Sequence, residues 1–405
     1  MEQQFEEERV SKKPLIMLML NMFVIMMGIG LVIPILPYYI EQFGASSIEL
    51  GILIAIFSFM QFLLAPFWGR LSDRVGRKPL IALGMFGFAI AEFIFAFATQ
   101  LWMLFLSRML AGAFGSAIMP SAMAFVSDRT SDRKRGQGMG MLGAAMALGF
   151  VVGPGIGGWL AEINLAAPFV FAGIAASLAG LFSLFLLPES LPKEQREANA
   201  VKQSEGKQSQ IIQMGKAIKS PIGFWLILVF VMSFALANFQ AIFGIYALYQ
   251  FNYSPSQVGT IMVFVGVVGA VAQGVLVGRL TTKFGDDKVV LGALFIGGIG
   301  FIFMSLAFNF TTVLLTTCFF FLGNSILRPA LNTTLSRLAD GHQGMVMGLN
   351  NSFMSLGNVV GALIAGVLFE VNIYLPYSLG AVTLLMAFFV TIFWLAQKKR
   401  RQAVI

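Results

Sequence analysis

Residues 69–78 read GRLSDRVGRK and stand between two apolar runs; 209 residues later the chain returns to the same theme as GRLTTKFGDDK, residues 278–288, again between apolar runs. A second string, GFVVGPGIGG at 149–158, has its echo in GNVVGALIAG at 357–366, an offset of 208. Two motifs displaced by nearly the same distance mark an internal duplication. Working outward from them, apolar runs occupy 14–40, 49–68, 79–98, 101–126, 136–161, 167–187, 222–249, 257–278, 289–309, 311–336, 343–369 and 376–397. Each is near the ~20 residues that cross a bilayer. Lipid offers the backbone no hydrogen-bond partner, so each is expected to be helical. The hydrophilic stretch 188–220 begins PESLPKEQREANAVKQSEGKQSQ, has little to bury and reads as a linker. The expectation is an all-α membrane protein of twelve transmembrane helices: a six-helix half at 1–187, a cytoplasmic linker at 188–220 and a second half at 221–405. Two pseudo-symmetric halves with a binding site between them near the midplane is a transporter architecture.

Composition agrees. Of 405 residues, 58% are hydrophobic and 11% charged, against about 25% charged in soluble domains. That excludes a soluble enzyme, a nucleic-acid-binding domain and a disordered chain. The runs do not alternate polar and apolar, as barrel strands would. The charges behind the net +8 lie mostly in loops and at the chain ends. Of 27 Lys and Arg, all but Arg108 and Arg328 lie before the first span, in 69–78, 127–135, 188–220 and 278–288, at Arg337, or in 398–401. The alternate loops, at 41–48, 99–100, 162–166, 250–256, 310 and 370–375, have none. The positive-inside rule then puts both termini in the cytoplasm, which requires an even number of spans. The N-terminal MEQQFEEERVSKK argues against a cleaved signal peptide. A single cysteine, Cys318, and a single histidine, His342, leave no internal disulfide and no Cys- or His-based metal cage. Cys318 reads as a packing residue and His342 as part of a short cytoplasmic loop. No cofactor is implied, no phosphate-binding loop supports ATP drive, and no nucleophile–base pair within the spans supports an enzyme.

Charges deep in a span are costly and functional by default. There are three: Glu92, Arg108 and Arg328. Glu92 lies about seven residues before the turn at 99–100 and Arg108 about eight after it, so the antiparallel spans place both at similar depth, roughly 10 Å in at 1.5 Å per residue. Two readings stay open. The two groups pair for structure, or Arg108 faces a cavity and Glu92 titrates.

The quoted motifs carry a resemblance. GRLSDRVGRK, with Gly69, Asp73, Arg74, Gly76 and Arg77, resembles the loop 2–3 signature of the major facilitator superfamily. GFVVGPGIGG, with Gly149, Gly153, Pro154, Gly157 and Gly158, resembles the antiporter signature of drug exporters, and GIGLVIPILP (28–37) that of twelve-span drug:proton antiporters. LSRMLAG (106–112), LRPA (327–330) and GNVVGALIAGVLFE (357–370) look nearest to the Gram-positive multidrug efflux pumps of the NorA/Bmr type. The resemblance implies a bacterial plasma-membrane exporter of amphipathic drugs such as fluoroquinolones and dyes, working as a monomer by proton antiport and alternating access. The alternative is a dedicated sugar or amino-acid carrier of the same superfamily. It implies pathway-facing residues Asn21, Arg108, Met119, Asn238, Gln240, Phe243, Tyr246, Asn324, Ser325 and Arg328 on spans 1, 4, 7 and 10, with Gln61 and Asn351 beside them. It implies that Asp73 latches the cytoplasmic side against the end of a helix of the other half, asymmetrically, because the second copy has Thr282. The span-5 glycines are expected to pack closely, with Gly259, Gly266, Gly269 and Gly274 of span 8 as partners.

The chain departs from the pattern at two positions. Where such pumps carry acids in span 7 and three residues before the span-10 arginine, it has Gln240 and Ser325, which cannot titrate. Proton coupling then falls to Glu92, Asp73 or Asp128, or is weak with a changed substrate. Without those acids Arg328 makes a more positive site, which favours anionic or zwitterionic drugs over dications.

Overall fold

The computed structural model describes residues 12–202, 210–339 and 343–403. His342, the first eleven residues and linker positions 203–209 lie outside the described residues. The elements are α1 (Lys12–Gln42), α2 (Ser47–Val75), α3 (Arg77–Ala96), α4 (Leu101–Arg129), α5 (Asp132–Ala161), α6 (Ala167–Leu186), α7 (Lys193–Lys202), α8 (Gln210–Ile218), α9 (Gly223–Phe251), α10 (Pro255–Val271), α11 (Val277–Phe284), α12 (Asp286–Ser305), α13 (Phe310–Arg337), α14 (Gln343–Val371) and α15 (Leu375–Ala403). A π turn, Ala272–Leu276, joins α10 to α11, so the two form one span. Among the described residues twelve helices are long and apolar enough to cross a membrane, one for each apolar run of the sequence.

Helix ends follow local chemistry. The stretch GRLSDRV does not form a loop; it continues α2, and the break comes only at Gly76, whose φ of 115° suits glycine. The second copy breaks at the matching Gly285, φ 80°. Ser254 with Gln257 and Asn309 with Thr312 form capping boxes that start α10 and α13. The segment read as a linker carries α7 and α8. In α8, QIIQMGKAI, Met214 and Ala217 are buried, and the helix packs on α14 and α9.

Packing divides the chain into two units. One holds α1 up to Val32 and the chain from Leu63 through α7; the other holds Ile33–Phe62 and α8 to α15. In the first unit α3 packs on α4 and α6, and the glycine face of α5 packs on α1. A Cβ at Gly153 would lie 2.5 Å from the Met27 carbonyl oxygen, one at Gly157 2.8 Å from that of Leu31, and one at Gly149 would meet that of Phe23. These helices touch backbone to backbone, which only small residues allow. Within this unit the partner of the face is α1. The second unit repeats the plan. There α12 packs on α13 and α15, and α14 sets Gly357 and Gly361 against Phe230 and Phe234 of α9.

The duplication extends to an ion pair. Arg77 Nε donates to Asp128 Oδ2 at 3.1 Å, and 209 residues on Arg337 Nη1 donates to Asp286 Oδ2 at 2.5 Å. The helix start and helix end are matched in each copy, with the signs exchanged.

Candidate transport site

The structure joins the two deep charges of the first unit. Arg108 Nη2 on α4 donates to Glu92 Oε1 on α3 at 3.0 Å, and neither side chain is more than 5% exposed. The Ser107 hydroxyl donates to the Ala91 carbonyl at 2.7 Å, which ties the two helices at the same level. The guanidinium also lies 4.8 Å from the centre of the Phe95 ring, which stacks on Phe169 of α6. The pairing is through one bond only. Glu92 Oε2 and Arg108 Nε are buried without a hydrogen-bond partner, so the pair holds unused donor and acceptor capacity in a setting where such capacity is costly.

Arg328, on α13 in the second unit, is placed differently. Its side chain is not covered by neighbouring side chains although it lies deep in a span. Among the described residues its hydrogen-bond contact is a weak one, Nη2 to the Met354 sulfur of α14 at 3.5 Å. Ser325, one turn earlier, is buried, and its hydroxyl lies where a Cβ on Gly269 would come within 2.9 Å.

At the end of the molecule that carries the basic loops, Arg77 organises a cluster within the first unit. It donates to Asp73 Oδ1 at 2.6 Å, to Asp128 and to the Ser72 hydroxyl. Glu189, from the PES string after α6, accepts the Arg77 backbone N–H at 2.9 Å and the Lys78 N–H at 3.3 Å, and so caps α3 where Gly76 offers no side chain. An anion at a helix N-terminus is stabilised by the free N–H groups and the helix dipole. Arg129 donates to the Glu189 carbonyl, Ser190 to Asp128, and Arg196 to the Val75 carbonyl.

The Major Facilitator Superfamily model matches residues 18–251 and 225–404. The chain belongs to the Major Facilitator Superfamily. Multidrug resistance protein 2 of Bacillus subtilis (strain 168) is 36% identical over 395 residues, 97% of this chain and 98% of that protein. Quinolone resistance protein NorA of Staphylococcus aureus (strain MRSA252) is 32% identical over 364 residues, 90% and 92% of the two chains. A solved bacterial homolog of the human lysosomal transporter Spinster, in an inward-facing and occupied conformation, shares the fold, with a TM-score of 0.74 at 15% identity over 94% of this chain and 95% of that one. This Major Facilitator chain is a multi-pass protein of the plasma membrane.

The structure sorts the remaining Major Facilitator candidates by burial. Asn21 is fully buried and donates to Ser183 on α6 at 2.7 Å; Asn238 is fully buried and donates to the Pro376 carbonyl at 3.1 Å. Both act as ties between helices of their own unit. Phe243 and Tyr246 are buried too, Phe243 stacked on Phe239 and Tyr246 edge-on to Tyr377 at 4.7 Å. Gln61, Met119, Gln240 and Asn324 are half-buried, and Asn351 is exposed. Gly149, Gly153, Pro154, Gly157 and Gly158 stay in continuous helix, with Pro154 seated against Gly30 of α1. Cys318 is a half-buried free thiol. Glu189 was not legible as a functional residue, and neither was Glu370, which accepts the Ser47 N–H at 2.8 Å and caps α2. Both reach a helix start more than 100 residues away in sequence, where no local spacing signals them.

Proposed function

We propose that this protein exports amphipathic drugs, fluoroquinolones and dyes among them, in exchange for protons by alternating access, and that it does so as a monomer. The observation that carries the reading is the near full-length similarity to Multidrug resistance protein 2 of Bacillus subtilis, 36% over 97% of the chain, alongside NorA at 32%. Proton coupling is assigned first to Glu92, because it is the carboxylate deep in a span and its Oε2 has no partner. A proton on that oxygen neutralises Glu92 and weakens its hold on Arg108, which changes how α3 and α4 are tied. Asp73 and Asp128, gathered by Arg77, are the second choice. In this reading the Arg77 cluster and the Gly69–Arg77 motif gate the cytoplasmic side.

A second reading, a dedicated metabolite carrier, is favoured by Gln240 and Ser325, which replace the acids of similar pumps and imply a changed ligand. The test is efflux of ethidium and norfloxacin from energised cells expressing the chain, with and without a protonophore. Export that stops with the protonophore, and that falls at least tenfold in Glu92→Gln, is the expected result. No export of either compound by protein shown to be in the membrane would favour the metabolite carrier.

A further inference from the structure

In the second unit a line of tyrosines runs inward from the junction where α9 ends and α15 begins. Tyr374, at its mouth, is exposed and stands in 370–375, a loop without Lys or Arg. The positive-inside rule makes that side the outer one. Tyr374 meets the Tyr246 ring at 6.1 Å, and Tyr246 meets Tyr377 edge-on at 4.7 Å. Tyr377 follows Pro376, whose carbonyl accepts the Asn238 amide at 3.1 Å. Asn238 lies eight residues inward of Tyr246 on α9, about 12 Å at 1.5 Å per residue. Tyr246, Tyr377 and Asn238 are buried, as is Tyr253 just past the end of α9. Four of their polar atoms have no hydrogen-bond partner among the described residues: the hydroxyls of Tyr246, Tyr253 and Tyr377, and Asn238 Oδ1.

Buried polar groups are satisfied by protein or by ordered water, and an unpaired one is costly. Four such atoms along one line call for a shared guest. The groups that act electrostatically on the Tyr246 hydroxyl are Tyr374 and Tyr253, and Tyr246 acts in turn on Tyr377. All are neutral phenols, so the line suits a neutral guest that both donates and accepts, and it suits no ion. We propose that this line binds a file of buried water, anchored at its inner end by Asn238 Oδ1 and lined by the hydroxyls of Tyr377, Tyr246 and Tyr253. A buried water takes two to four hydrogen bonds from groups of this kind. The role of the file rests on the proton-exchange reading above: it carries a proton between the outer face and the middle of α9. Each water or phenol accepts a proton on one side and releases its own on the other. One proton enters, one leaves, and the file keeps its composition.

The first experiment uses the full, unmutated chain in lipid nanodiscs and water enriched in heavy oxygen. X-ray radiolysis turns water into hydroxyl radicals where it sits, and mass spectrometry reads which side chains take up the label. Tyr246 and Tyr377 are expected to label at least tenfold faster than Phe320, a ring that is likewise fully buried. Labelling no faster than Phe320 would overturn the file. Tyr377→Phe removes one hydroxyl from the line and should lower the thermal unfolding temperature. A dry, unpaired hydroxyl would make that variant more stable instead, and such a rise would also overturn the file. In proteoliposomes Tyr377→Phe should slow norfloxacin transport driven by a pH gradient at least threefold. Exchange of radiolabelled for unlabelled norfloxacin without a gradient should stay within twofold of the parent. Equal slowing of both, or of neither, would overturn the proton role. A parent that moves no norfloxacin under a gradient would refute the export reading, while the labelling still decides the file.

Discussion

One nitrogen–oxygen contact of 3.0 Å joins Glu92 to Arg108, and each partner keeps a polar atom unpaired. Removing one member of a buried pair strands the other charge, at a cost of about 3–5 kcal/mol. Glu92→Gln and Arg108→Gln should therefore each lower the thermal unfolding temperature of the purified protein. Together they should recover part of the loss, because two amides can hydrogen-bond without charge. Strictly additive losses would show that the two residues do not stabilise each other. The double variant also separates the roles. A pair that serves structure alone pumps again once stability returns, whereas a coupling pair stays stable and uncoupled. The depth match of these residues was legible from their distance to the turn at 99–100. The direction of Asn21 and Asn238 was not. In a helix apolar all round, a lone polar residue has no hydrophilic face to index it, and here both turn to neighbouring helices, at Ser183 and at Pro376.

At the scale of elements, two devices hold the helices: small-residue faces and carboxylate caps. The first was legible in GFVVGPGIGG as glycines four apart, but its partner was not, because periodicity gives a face and never the surface it meets. That partner is α1, and the matching face of α14 meets α9. Gly153→Leu should sharply reduce the folded protein recovered from membranes, since its first carbon alone would lie 2.5 Å from the Met27 carbonyl oxygen. Gly143→Leu, ten residues earlier on the same helix with nothing within 4 Å, should leave recovery within twofold of the parent. Equal recovery of the two variants would mean that this contact does not hold α5 in place. The second device was hidden. Glu189 caps α3 and Glu370 caps α2 from distant parts of the chain. In the first unit Asp73, near the end of α2, is bonded to Arg77, the first residue of α3.

Across the whole molecule the duplication is the organising fact, and the sequence displayed it in two offsets of 209 and 208. The structure carries it further, into the order of helix packing and into an ion pair whose signs are exchanged between copies, Arg77 with Asp128 and Asp286 with Arg337. A repeated frame with unequal charges fits a transporter in which one copy of the gate and one deep ion pair do work that the other copy does not. What drives that work is the proposal on which the rest depends. The direct measurement is norfloxacin transport by the purified protein in proteoliposomes under an imposed pH gradient. The proton-exchange reading requires uphill movement that collapses when a protonophore is added and is lost in Glu92→Gln. Transport that proceeds unchanged without the gradient would contradict it, and a Glu92→Gln variant that stays fully proton-driven would contradict the assignment of coupling to Glu92.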